Sequence, residues 1–129
     1  AGDLDARVES VAVVGGSGDS LFDAVRASGA DVYLTSDLRH HPVSELRERA
    51  RLDGGEAGTP FLVDVPHYAS EWPWLRYAAE DLARVLARSG AAVETRVSTL
   101  VTDPWTARFP SAPADPGADA GPPRDTAQG

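Results

Sequence analysis

Three short apolar runs, each followed by a stretch with helical spacing, do most to limit the folds open to this chain. "RVESVAVVGG" ends in a continuous apolar run and reads as a strand over roughly 8–14. "DVYL" reads as a second strand, and "PFLVDV" as a third, apolar enough to be buried on both faces. Between them, "SLFDAVRASGA" places Leu21, Phe22, Val25 and Ala27 at helical spacing, with Gly29 positioned to stop the helix. "PVSELRERARLD" is a polar helix with Pro42 in its first turn. "EWPWLRYAAEDLARVLARSG" is the strongest helix, with Leu75, Ala78, Ala79, Leu82, Val85 and Leu86 on one stripe and Gly90 at its end. "AVETRVST" alternates as a fourth, half-exposed strand would. Strands alternating with helices predict an α/β fold: a mostly parallel sheet with alternating helices.

From Pro104 onward six of the ten prolines crowd into a segment with few core-forming residues. The expected organisation is one domain over 1–106 and a Pro/Gly/Ala-rich disordered tail over 107–129. The chain contains no methionine, so an upstream segment belonging to a larger protein is expected. No apolar run approaches the roughly 18 residues of a membrane helix, and no signal peptide is visible, so a cytoplasmic location is expected. A formal charge of −8 argues against extended nucleic-acid binding. With no cysteine, any metal must be held by His, Asp or Glu, which suits zinc, iron or manganese.

In a parallel sheet, ligands collect at the carboxyl ends of the strands. Three polar segments fall there. "GGSGDS" either presents backbone N–H groups to an anion or is a tight turn with Asp19 or Ser20 capping the next helix. It lacks the Lys-Ser/Thr of a phosphate-binding loop and the third glycine of a dinucleotide fingerprint. "TSDLRHHP" gathers Asp37, His40 and His41, and is either a ligand cluster or a solvated helix cap. The proline after His41 predicts an extended backbone there, pointing the two imidazoles apart. "PHYASE" sets His67 at a strand end and Glu71 four residues later. In a helix that spacing puts both side chains on one face, able to converge on a metal; otherwise Glu71 complements a helix dipole and His67 is a satisfied strand-end residue.

In this order, "VAVVGGSGDSLFDAVRASGADVYLTSDLRHHPVSE", "LVDVPHYASEWPWL" and "VSTLVTDPWT" resemble the C-terminal half of the Nif-three-like dinuclear-metal-centre proteins, also called GTP cyclohydrolase 1 type 2 homologues. The match runs from about Val8 to Thr106. The resemblance implies one half of a Nif-three-like fold, with two divalent metals in a cleft between two similar α/β halves. It assigns metal ligation to His67 and Glu71, and leaves a histidine pair and an aspartate to the other half. Val65-Pro66 stands where many relatives have a glycine. Asp37 and His41 fall on cleft-lining positions that tune a metal site.

The implied function is a metal-dependent hydrolase acting on a small substrate, possibly a nucleotide. Gly15, Gly16 and Gly18 would leave room for that substrate, and Ser17 or backbone N–H groups would hold its anionic part. The resemblance also implies a homohexamer. The alternatives are a non-catalytic metal-binding interaction or regulatory protein, and a fragment without independent chemistry that exposes an apolar face.

Overall fold

The computed structural model describes residues 1–107. Strands β1 (Val11–Ser17), β2 (Val32–Ser36) and β3 (Phe61–Val65) form a parallel sheet in that spatial order. A 3-10 turn at Asp19–Leu21 leads into α1 (Phe22–Ser28), and α2 (His40–Gly54) connects β2 to β3. After β3 come a short α3 (His67–Glu71) and a long α4 (Trp74–Arg88). The expected α/β class and alternating order are therefore present. The expected tail lies, from residue 108 on, outside the described residues.

Register explains where the core sits. Ala12, Tyr33 and Leu62 stand side by side across the three strands. The pleat turns them to one face, where α1 contributes Phe22 and Val25 and α2 contributes Val43 and Leu46. Val25, Tyr33, Leu46 and Leu62 are buried there, and Phe22 meets Tyr33 edge-on at 6.1 Å between ring centroids. Each such side chain stabilises the fold by about 1.5–3 kcal/mol. At the start of β3, Arg47 donates to Gly58 O and Pro60 O, both at 2.7 Å, with its guanidinium over Phe61. Burial pushes that guanidinium below its ordinary pKa.

The opposite face corrects the expectation that β3 is covered on both sides. Val11, Val13 and Val63 are 53%, 65% and 41% exposed. Both crossover helices pack on the first face, and α3 crosses the second, near the carboxyl ends of β1 and β2.

Several boundaries also move. β1 runs on through Gly15 and Gly16, because a register shift between Val13 and Ser17 absorbs two extra residues and Gly16 takes φ 75°. α2 starts at His40 rather than Pro42, so His41 is helical and not extended. The bias of a residue before proline yields here because Pro42 sits in the first turn, where its missing N–H costs nothing, and Val43 N–H reaches Arg39 O. The His40 and His41 rings consequently meet edge-on, 5.4 Å apart. Neither Asp19 nor Ser20 caps a helix; Asp19 pairs with Arg39 Nε at 2.5 Å.

The long helix expected after β3 is broken at Trp72-Pro73, since Pro73 has no N–H to continue the ladder of α3. Gly90, at φ 80°, closes α4, with Ala91 N–H bonded to Leu86 O. The apolar stripe of α4 does not reach the sheet. Leu75, Ala78, Ala79 and Leu82 instead line a groove whose other wall is residues 93–98. That wall is the segment expected as a fourth strand. It is not a strand, because alternation supplies a pleat but among the described residues no partner edge lies alongside it.

Candidate metal centre

β3 ends at Val65, Pro66 turns the chain, and α3 begins on His67 itself. Helical spacing then brings Glu71 beside it: His67 Nε2 lies 3.1 Å from Glu71 Oε2. The other ring nitrogen, Nδ1, lies 2.6 Å from Asp37 Oδ2. Asp37 reaches it by taking a left-handed φ of 55°, which aspartate tolerates better than most residues. Asp64 Oδ1 accepts Leu38 N–H at 3.3 Å and steadies the same loop.

Asp37's hydrogen bond is the main reason that His67 is held above the ordinary imidazole pKa. Partial loss of solvent opposes this shift, and the negative charges of Asp37 and Glu71 reinforce it. With both ring nitrogens protonated, His67 donates to one carboxylate on each side. A proton on Nε2 thus stands where a cation shared with Glu71 would stand. Two donors about 2.0–2.2 Å from one ion lie about 3–3.5 Å apart, and the Nε2–Oε2 separation falls in that range. A carboxylate on the remote nitrogen of a ligating histidine fixes its tautomer and raises its basicity. The pair therefore fits part of a metal site. It does not complete one: among the described residues no group of three or more His, Asp or Glu side chains could hold an ion.

The glycine segment is tied to this pair by residues whose roles were not read from the sequence. Ser70 Oγ accepts Gly16 N–H at 2.8 Å and donates to His67 O at 2.7 Å. Thr35 Oγ1 donates to Gly16 O at 2.9 Å, and Tyr33 OH donates to Gly18 O at 3.0 Å. A Cβ on Gly16 would come within 2.6 Å of Glu71 Oε1, and one on Gly15 within 3.3 Å of Ser70 O. A Cβ on Gly18 would overlap the Thr35 and Tyr33 hydroxyls. The space foreseen for a substrate at Gly16 and Gly18 is thus occupied by the protein. Their N–H groups are also engaged, Gly18 N–H with Ser36 O at 3.3 Å. Of the four residues in this segment, Ser17 and Gly15 are exposed. A serine inside "PHYASE" was the one visible hint of this link.

His41 is not brought to the pair. It stands exposed on the first turn of α2 against His40, and among the described residues no hydrogen bond or ion pair joins it to Asp37, His67 or Glu71.

Comparison with known proteins agrees with this arrangement of elements. The chain is 52% identical over 113 residues to a GTP cyclohydrolase 1 type 2 homolog of Streptomyces coelicolor, covering 88% of this chain and 37% of that protein. It is 45% identical over 105 residues to a protein of the same description from Mycobacterium tuberculosis, covering 81% of this chain and 25% of the relative. A solved Bacillus cereus protein related to NIF3 superposes with a TM-score of 0.65 at 28% identity, over 83% of this chain and 27% of that one. The chain thus spans between about a quarter and two fifths of the length of these relatives. Residues 1–104 match the family described as Duf34/NIF3 (NGG1p interacting factor 3), and the chain belongs to that family.

Proposed function

We propose that these residues supply part of a divalent-metal site in a longer protein, and that the complete protein is a metal-dependent hydrolase. The observation that carries this reading is the His67–Glu71 pair at 3.1 Å with Asp37 bonded behind the ring. His67 would hold an ion through Nε2 and Glu71 through Oε2, with the remaining ligands coming from outside residues 1–107. When bound, divalent ions supply Lewis-acid activation of water and polarise a substrate oxygen. Asp37 keeps the Nδ1 proton and so presents the Nε2 lone pair to the ion. Ser70 holds the start of α3 against Gly16, which keeps the Glu71 carboxylate over the end of β1.

The ions are zinc, iron or manganese, two for each complete subunit. A small, anionic substrate fits a site at the carboxyl edge of a parallel sheet, and the description shared by the relatives points to a purine nucleotide. Ser17 and Gly15, exposed beside the pair, are the parts of the glycine segment left to meet it.

Metal analysis of the complete protein tests the reading. Wild-type protein should carry about two ions per subunit, and His67→Ala and Glu71→Ala should each lose metal. Unchanged metal content in both variants would sink it. Hydrolysis of nucleotides that follows metal occupancy separates an enzyme from a metal-binding interaction protein.

The open outer face of the sheet favours a second element of the proposal, that these residues act inside a larger assembly. Self-association to a homohexamer is the form proposed, and sedimentation of the complete protein measures it. A monomer would remove this element and leave the metal reading standing.

A further inference from the structure

The outer edge of β3 carries the first rung of a strand pairing. β3 is one margin of the sheet, and Leu62 turns its backbone outward. Leu62 N–H donates to Ala1 O at 2.8 Å, and the Ala1 ammonium donates to Leu62 O at 2.5 Å. Two residues that exchange both bonds form the closely spaced pair of an antiparallel ladder. One ammonium hydrogen stands where an amide hydrogen would.

After Ala1 the chain leaves the ladder, and Gly2 carries it closely past Phe61. A Cβ on Gly2 would overlap the Phe61 ring, and its φ is 132°. An antiparallel ladder advances by two residues on each strand in opposite directions. The next closely spaced pair joins Asp64 to the residue two positions before Ala1. Asp64 is exposed, and its N–H and C=O face outward as those of Leu62 do, because backbone direction alternates with period two. The following outward position is Pro66, which has no N–H, so the ladder ends there. Pro66 is also flanked by Asp103, Trp105 and Thr106.

We propose that the outer edge of β3 receives an antiparallel strand made by the residues immediately upstream of Ala1 in the longer protein, with the second of them paired to Asp64. This chain spans 37% of the Streptomyces protein, so most of that relative's length lies outside it. The incoming chain passes the carboxyl end of β3 before it reaches Ala1. Residues further upstream therefore leave the edge at Pro66, next to His67. The inference shares with the functional reading the premise of a longer protein, but its readout does not involve metal.

Amide hydrogen exchange on the complete protein tests it. The Asp64 amide should exchange at least about tenfold slower than an unprotected amide at the same pH. Gly2→Val, which drives a side chain into Phe61, should restore fast exchange at Asp64 while Val63, bonded toward β2, stays protected. Free-amide exchange at Asp64 in the wild-type protein overturns the proposal. So does Asp64 protection that survives Gly2→Val, which excludes this register. Protection that grows with protein concentration also overturns it, by assigning the edge to a second copy.

Discussion

The two faces of the sheet are built from similar residues and meet different fates. Val14, Tyr33 and Leu62 on one face lie under α1 and α2, whereas Val11, Val13 and Val63 on the other lie mostly in the open. The apolar face with the more continuous valine content is thus the less covered one. Hydrophobic patterning records that a surface needs a partner and does not record where the partner is. Among the described residues, α3 covers the carboxyl end of the open face, and it carries the candidate His67–Glu71 pair. In this molecule the candidate site is a lid on the uncovered side.

The largest test of this contrast removes packing from the closed face. Leu46→Ala, beneath α2, should lower stability by about 2–5 kcal/mol, because the neighbouring Tyr33 and Leu62 side chains close the resulting cavity only in part. Urea denaturation measures it, and a cost below about 1 kcal/mol would mean that the two faces are equally loose.

Next comes the seam between the open face and its lid. Gly16→Ala meets two obstacles at once: φ 75° and a Glu71 oxygen 2.6 Å from the new Cβ. The left-handed conformation alone costs about 1–2 kcal/mol. Glu71 should be displaced, so metal affinity of the complete protein should fall further than stability does. Metal titration beside a thermal melt separates the two. Affinity that is unchanged in the folded variant would show that Gly16 and Glu71 are uncoupled.

A smaller effect follows from His67 acting as a charged tie for the same lid. Its raised pKa means that the folded chain holds this proton more tightly than the unfolded chain does. The associated stability is fully present below the ordinary imidazole value of about 6.5. It is lost as pH rises through the higher folded value. Thermal melts of metal-stripped protein should therefore show a loss of stability across that window, and Asp37→Asn should flatten it. An identical slope in Asp37→Asn would remove Asp37 as the cause. Bound metal reverses the sense, since an ion on Nε2 competes with the proton and gains as pH rises.

How much of this could be read beforehand depends on how local the cause is. The three strands and the alternating helices were legible because each is fixed by periodicity within a few residues. The His67–Glu71 spacing was legible for the same reason, as both lie on one turn of helix. Asp37 lies 30 residues from His67, so spacing could not join them, and it entered through strand-end placement and the family resemblance. The glycines were visible, but a glycine that makes room for a ligand and one that lets another helix approach look identical in sequence. Only the fold of α3 over β1 decides between them at Gly16. The segment at 93–98 failed as a strand because alternation is a property of the segment, and a ladder is a property of two.

The smallest expected effect bears most directly on the contrast between the faces. Val13→Thr keeps a β-branched side chain of similar shape on β1 and exchanges one methyl for a hydroxyl. On a surface 65% exposed that hydroxyl remains hydrated, so the stability of this chain should change by no more than about 0.5 kcal/mol. Made in the complete protein, the same substitution reads whether the open face is covered there. Burying a hydroxyl without a partner costs about 1–3 kcal/mol. A cost that rises into that range in the complete protein shows that the valine face is an interior surface waiting for the rest of the fold. An equally small cost in both would leave Val11, Val13 and Val63 as true surface. The sheet would then be one-sided by design, with α3 its outer cover among the described residues and the candidate His67–Glu71 pair standing on it.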